Sequence, residues 1–496
     1  MMDRRMFLKL SAAIAAGAAM PGCAPASARL VRPQAPVLPT EKLLLKNCHI
    51  VDVKQGRLRR ETDILIENGK ITGMFDGGQP GTAVAAEKVM DLGGAFVMPG
   101  LINAHCHMSL PGAVALTPYL FLALGRQLER GAEECIAHGV TTVRDMLAEG
   151  NFLTTLKNKI SRGDVVGPRI LSCCALDIRG GYGDEMNFLP NRRYFRVTNN
   201  PAQAREEVKA AVDSGVDFIK IFQQTSQLIM PGKRLEVMDT DTMTAICSEA
   251  ARHGKRVAMH HTQVGALIKG LVAGVESYEH IPADALVSER DLRMLLDRGC
   301  IAVPTASVCF FLSNPMPNDP SWGKGWTPVI ERERPAILQK MVKEYTEPGL
   351  VEGTLALAKK YADPGSYATP HLVPWPCPTT VNAQAVVGVE NLRRLYEAGV
   401  CLGCGNDGGI PFVFSGAVNF EMQLWETLGA KTADILRMAT ANNAKLMQME
   451  DQIGTVQTGK IADLAVFDKN PLETVTNLDR ARLVFQAGRL TYRARA

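Results

Sequence analysis

His253-Gly254-Lys255-Arg256-Val257-Ala258-Met259-His260-His261 holds one structural unit in a few residues. A helix-like stretch stops at a glycine, a short apolar strand follows, and the strand ends on imidazole. Glycine just past a helix supplies the left-handed residue that other side chains resist. The same order of events returns at His138-Gly139-Val140, Ser214-Gly215-Val216, Ala273-Gly274-Val275, Arg298-Gly299-Cys300 and Ala398-Gly399-Val400. Helix, glycine, strand is the αβ half of a β/α unit. Adding the apolar run that leads to His105 and the run Pro168-Arg169-Ile170-Leu171-Ser172-Cys173 gives eight strands. Eight such units in about 350 residues predict an α/β fold with a (β/α)8 TIM barrel over 98–449. A doubly wound open sheet would need a Gly-rich phosphate turn after its first strand, and none is there.

Outside that span the pattern changes. Residues 41–97 alternate in short runs, and Asn68-Gly69 between Asp63-Ile64-Leu65-Ile66 and Lys70-Ile71 is a hairpin signal. Similar strands return in 450–496, as in Leu464-Ala465-Val466-Phe467 and Leu483-Val484-Phe485. The two ends are expected to pair into one β-sandwich. Residues 29–40 are Pro-rich and read as a linker. Residues 1–28 read as an export signal. Arg4-Arg5-Met6-Phe7-Leu8-Lys9 precedes a short Ala-rich apolar core, the layout of a twin-arginine (Tat) leader. Two endings fit: a cleavage site at Ala26-Ser27-Ala28, or a lipid-bearing Cys23 after Met20-Pro21-Gly22.

The chain is 46% hydrophobic and 21% charged, with a net charge of +4. That charge, with no Lys/Arg-rich block, argues against nucleic acid as a partner. The body of the chain has no apolar run long enough to span a membrane. Its 12 cysteines form no spaced framework, so buried small hydrophobes are the reading, Cys401-Leu402-Gly403-Cys404 included.

Functional groups of a β/α barrel sit at the C-terminal ends of its strands. Strand one gives His105 and His107, which share a side because i and i+2 do on a strand. Strand four gives Lys220, strand five His260, strand six His280 and strand eight Asp407. Four imidazoles, a carboxylate and an amine are thereby expected around one mouth. His261 would face away from His260 and is the second choice there. His49, His138, His253 and His371 fall on helix ends or loops and are expected to be solvated.

These positions, with Ala439-Thr440-Ala441-Asn442-Asn443-Ala444-Lys445 and Ile453-Gly454-Thr455 through Asp463-Leu464, resemble the amidohydrolase superfamily. The branch is that of imidazolonepropionase-like enzymes and prolidase-like carboxypeptidases. Proline is usual where Asn443 stands. The resemblance implies two divalent metals, with zinc favoured and cobalt, manganese or iron also fitting N and O ligands. It implies a carbamate on Lys220. His105, His107, Lys220 and Asp407 would hold one metal, and Lys220, His260 and His280 the other. A bridging hydroxide would attack, and Asp407 would carry the proton. The implied activity is hydrolysis of an amide, peptide or cyclic amide C–N bond in a small molecule or short peptide. Esterase, lactonase or phosphotriesterase chemistry is the alternative on the same site. A binding protein that had lost catalysis would lack ligands, and none is missing.

Three residues are candidates for substrate contact. Tyr182, in Arg179-Gly180-Gly181-Tyr182-Gly183-Asp184, stands where the carboxypeptidase-like members carry histidine. Arg144 follows strand two, and His261 follows His260. The segment 306–385, with Trp322, Trp326 and Trp375, reads as a long loop over the mouth. Export would place the protein in the periplasm or outside the cell, soluble or anchored at Cys23, after carriage by the Tat machinery. A homo-oligomer is left open.

Overall fold

The computed structural model describes residues 42–76, 86–113, 119–147, 151–186, 195–225, 234–312, 328–362 and 384–495. The export signal, Cys23, the linker, Trp322, Trp326, Trp375 and His371 lie outside them. Four strands open the chain: β1 (Leu43–Asp52), β2 (Arg57–Glu67), β3 (Lys70–Asp76) and β4 (Lys88–Pro99). Then come β5 (Leu101–Cys106), β6 (Val140–Asp145), β7 (Arg169–Asp177), β8 (Arg196–Val197) and β9 (Phe218–Gln223). β10 (Val257–His261), β11 (Ser277–Glu279), β12 (Ile301–Val303) and β13 (Cys401–Leu402) follow. β14 (Leu464–Phe467), β15 (Leu483–Gln486) and β16 (Arg489–Arg493) end the series.

The two β-rich ends form one seven-stranded sheet in the order β16-β15-β14-β4-β1-β2-β3. Asn68 and Gly69 both have left-handed φ, 50° and 74°, which suits the tight turn joining β2 to β3. The sheet curls until that hairpin meets the chain ahead of β14. The Ile71 N–H donates to Lys460 O at 2.9 Å, and the Ala462 N–H to Gly69 O at 2.9 Å. Leu45, Ile64, Ile66 and Ile71 from one end thus share a core with Leu464, Val466 and Phe485 from the other. The end-to-end pairing expected from the composition is present.

The second sheet runs β5-β6-β7-β9-β10-β11-β12-β13, with β8 beside β7, and its neighbours are parallel. Helices end on left-handed glycines as expected: Gly274 has φ 96° and Gly299 φ 62°. The barrel closes where β5 meets the chain after β13. The Ala104 N–H donates to Cys404 O at 2.9 Å, the Asp407 N–H to His105 O at 2.8 Å and the His107 N–H to Gly408 O at 2.6 Å. The two backbones touch there, so a Cβ on Gly405 would lie 2.6 Å from His105 N.

Buried amides complete this seam. Asn103 Nδ2 donates to Asn406 Oδ1 and to Ser415 O, both at 2.8 Å. Asn443 Nδ2 donates to Ile102 O at 2.6 Å and Cys404 O at 2.7 Å, and its Oδ1 accepts from the Cys404 N–H at 3.1 Å. Proline could form none of these bonds, so this departure from the family pattern carries work of its own.

Two expectations are corrected. The segment 306–385 is not one long loop: helices span Ala306–Leu312, Pro328–Tyr345 and Pro348–Ala362. The latter two pack on the helix Tyr119–Ala137. His138 is not solvated but fully buried, and His49 is half-buried, while His253 is exposed as expected. The His138 Nδ1–H donates to Asp479 O, and Nε2 faces Glu344 at 3.2 Å and Glu134 at 3.6 Å. The 3.6-residue period puts Glu134 and His138 on one face of their helix, and the fold brings Glu344 and Arg480 to it. Cys404 is buried and Cys401 half-buried, and neither forms a disulfide. No helix among the described residues is long and apolar enough to cross a membrane.

Two tests follow from packing. Gly405→Ala should cost about 1–3 kcal/mol of stability through overpacking. Gly125→Ala, exposed on a helix with nothing within 4 Å of the new Cβ, should be neutral or stabilising. Denaturant midpoints measure both. For His138, burial opposes the charged ring, but Glu134 and Glu344 outweigh it and raise the pKa above the usual 6.5. Its contribution to stability is therefore full below that value and lost as pH rises through the higher folded value. Thermal midpoints at about pH 6 and about pH 8.5 should differ less in His138→Gln than in the parent. Equal differences would mean that the buried ring is uncharged.

Candidate metal centre

The C-terminal ends of the barrel strands carry the expected side chains to one place. His105 is the penultimate residue of β5, and His107 lies just beyond it. Their Nε2 atoms converge on Asp407 Oδ1, at 3.1 Å and 2.7 Å. His280 follows β11, and its ring centroid lies 4.8 Å from that of His105 and 4.5 Å from that of His260. His105, His280 and Asp407 each present a ligand atom within 4.8 Å of the other two. His260, on β10, stands outside this tightest group. Its ring stacks on Tyr182 with centroids 4.6 Å apart, and its Nε2 meets Gln224 Oε1 at 2.6 Å. Lys220 comes from the middle of β9 and is buried, with no hydrogen-bond partner on Nζ.

Backbone conformation explains why adjacent residues can serve one site. Strand alternation would send Glu279 and His280 to opposite sides. His280 has φ 70°, and Asp407 has φ 57°, both left-handed. The turn at His280 lets Glu279 and His280 approach the same imidazole, that of His105. Such values are uncommon for residues with a Cβ and gather at functional sites.

The electrostatics favour neutral imidazoles beside an ionised carboxylate. Burial pushes His260 and His280 well below the usual histidine range, and Lys220 adds to the effect on both. Burial also brings Lys220 down to about 8, against an opposing pull from Glu279. For Asp407 burial acts upward, but His105 and His107 outweigh it and hold the carboxyl well below its ordinary value.

The remaining candidates fall in different places. Arg144 does not face the mouth. It is buried, donating from Nε to Ala104 O and from Nη2 to Glu279 Oε1, both at 2.6 Å, with Ser277 Oγ 3.2 Å away. This corrects the expectation of a substrate contact. His261 is also buried on the far side from His260, its Nδ1–H donating to Glu279 O at 2.9 Å and its ring against Tyr278. Tyr182 does lie beside the site. Its loop is folded by Asp177, which accepts the Gly183 N–H at 2.6 Å and the Ile178 N–H at 2.8 Å. A Cβ on Gly181 would strike that carboxylate, so glycine is required.

Sequence reasoning missed Glu279, Thr305 and Gln224. Thr305 has φ 55° and sets its Oγ1 2.8 Å from His280 Nδ1. The one visible signal was the carboxylate of Glu279 inside a wholly buried strand.

The donor set fits a cation. Asp407 Oδ1 lies close to two imidazole nitrogens yet forms no satisfactory hydrogen bond with either. His105 already gives its Nδ1 proton to Glu279 Oε2 at 2.7 Å, which leaves a lone pair on Nε2 facing the carboxylate. Converging lone pairs without a proton between them repel unless a positive ion lies there.

Known proteins resemble this chain in sequence and in fold. The sequence is 34% identical to a dihydroorotase from Pelobacter propionicus over 104 residues, 21% of this chain and 22% of that one. It thus spans about a fifth of that relative's length. It is 23% identical to an imidazolonepropionase from Treponema denticola over 467 residues, 87% of this chain and 93% of that one. The fold is that of a Xaa-Pro dipeptidase crystallised with methionine in its active site, at a TM-score of 0.67 and 21% identity, over 91% of this chain and 100% of the other. Residues 96–490, from the end of β4 through β15, match the amidohydrolase family as a whole, and the chain belongs to that family.

Proposed function

We propose that the protein is a binuclear metal-dependent hydrolase of C–N bonds, acting on an amide, peptide or cyclic amide in a small molecule or short peptide. The observation that carries this is the convergence of His105 Nε2, whose ring already gives its other proton to Glu279, and His107 Nε2 on one buried oxygen of Asp407. The likeness to dihydroorotase, imidazolonepropionase and Xaa-Pro dipeptidase supports the bond type.

Two divalent ions, zinc first, would supply Lewis-acid polarisation and a water nucleophilic near neutral pH. His105, His107, Lys220 and Asp407 would hold one ion, and Lys220, His260 and His280 the other. Lys220 needs an anionic oxygen for this task. Its depressed pKa exposes a neutral amine near neutral pH. The Nζ lone pair bonds the carbon of carbon dioxide, one proton leaves to solvent, and an anionic carbamate results. Asp407, ionised, takes the proton of the attacking water and returns it to the leaving nitrogen. Tyr182 keeps its phenolic proton, because burial raises its pKa, and can donate to the substrate carbonyl. Export by the twin-arginine route, with Cys23 as an optional anchor, belongs to the same proposal. That route carries folded protein and so lets the metals load in the cytoplasm.

Elemental analysis of protein dialysed after native loading should give close to two equivalents of divalent metal per chain. Lys220→Ala should fall well short of that, with acetate restoring part of the activity. Full activity in excess chelator would sink the proposal. Asp407→Asn should keep the fold and most of the metal but lose at least about 10²-fold in turnover, the usual scale for a missing general base. A near-parental rate on N-acyl amino acids or dipeptides would remove Asp407 from the role.

A further inference from the structure

We infer that Glu279 is a positioning residue that fixes the tautomer and aim of His105, with Arg144 and Ser277 holding Glu279 in turn. This rests on the metal-centre reading above and extends it below the ligands.

Glu279 is fully buried, which is costly for a carboxylate unless it is paired and hydrogen-bonded. Both of its oxygens are in use. Oε1 accepts from Arg144 Nη2 at 2.6 Å and from the Ser277 hydroxyl. Oε2 faces His105 Nδ1 at 2.7 Å. A carboxylate beside a guanidinium accepts hydrogen bonds and does not donate them. The proton between Glu279 and His105 therefore belongs to Nδ1, and the Nε2 lone pair is the one turned toward Asp407. A carboxylate behind a ligating imidazole orients the ring and raises its basicity.

The network also joins barrel strands that are distant in sequence. Arg144 comes from β6, Ser277 and Glu279 from β11, and His105 from β5. Arg144 Nε binds Ala104 O, the carbonyl just before His105. Position and tautomer of the imidazole are thus set by one buried chain, Arg144–Glu279–His105.

Replacing Glu279 by Gln tests the charge with little change of shape. If the amide oxygen faces His105, its NH2 meets the Arg144 guanidinium, which can only donate. If the amide is reversed, its NH2 faces Nδ1, and the histidine proton must move to Nε2 and block the ligating lone pair. Either arrangement weakens the grip on metal. The experiment loads chelator-stripped protein with Co2+ alone, then follows chelator competition and the visible spectrum in parent, Glu279→Gln and Ser277→Ala. Thermal midpoints of the stripped forms are taken alongside.

One of the two Co2+ equivalents should bind about 10–100-fold more weakly in Glu279→Gln with an altered visible spectrum, and Ser277→Ala should shift the same way by less. Co2+ affinity within about twofold of the parent in folded Glu279→Gln overturns the inference, even if its stripped form melts lower, because a structural role alone explains that loss. If Glu279→Gln does not fold, Ser277→Ala decides, and an unchanged Co2+ affinity there overturns it equally. A parent that takes up no Co2+ overturns the metal-hydrolase reading itself. A parent that loads normally beside an unaffected Glu279→Gln overturns only the role given to Glu279.

Discussion

Closure of the barrel between β5 and the chain after β13 is the constraint on which the site depends. Two backbones must come within hydrogen-bonding distance while each also delivers ligands. His105 illustrates the economy of this. Its N–H reaches its own neighbour's amide at Asn103 Oδ1, and its C=O accepts the Asp407 N–H. Its ring then meets the Asp407 carboxylate through space. The seam and the candidate metal centre are the same few residues. Gly405 and Gly408 lack side chains because neighbouring backbone fills the space, at His105 and at Ser415. Asn103, Asn406 and Asn443 supply the bonds that the irregular strand cannot make by regular pairing. Buried backbone polar groups need partners, and these amides provide them.

A second constraint is charge in a dry place. Among the described residues the mouth gathers four imidazoles, a lysine and Asp407, and beneath them lie Glu279 and Arg144. Burial disfavours every charged form, and specific partners decide which charges survive. Glu279 keeps its charge because Arg144 and His105 outweigh burial. For His260 and His280 burial outweighs the pull of Asp407, which favours the neutral ring, the state in which imidazole binds metal. Burial lowers Lys220 to about 8, so a larger fraction of its amine is neutral near pH 7 than in an exposed lysine. The order of these groups in space separates a fixed lower layer, Arg144–Glu279–His105, from an upper layer that faces the mouth.

His138 shows the same physics used for joining rather than for chemistry. It follows the barrel helix Tyr119–Ala137 directly, at the crossing of that helix, the inserted helix Pro328–Tyr345 and the C-terminal segment at Asp479 and Arg480. Lys340 on the inserted helix also pairs with Asp479, at 2.8 Å. The insertion and the C-terminal return to the β-layer are thus tied to the barrel by ion pairs rather than by apolar packing alone. The stacking of His138 on Tyr345 adds a flat apolar contact to that junction.

Local chemistry along the chain was enough to place the elements and the side chains that gather at the barrel mouth. Glycine after each helix, apolar runs of strand length and imidazoles at their ends are short-range signals, because they report φ, burial and strand termination at single positions. That is why His105, His107, His280 and Asp407 could be named before any packing was known. The same signals could not place Glu279, Thr305 or His138, nor could they turn Arg144 inward. Each of those depends on a partner 25 or more residues away, or on a left-handed φ that breaks the alternation a strand would follow. Burial of a polar side chain is decided by whether a distant group arrives to pair with it, and only the tertiary structure settles that.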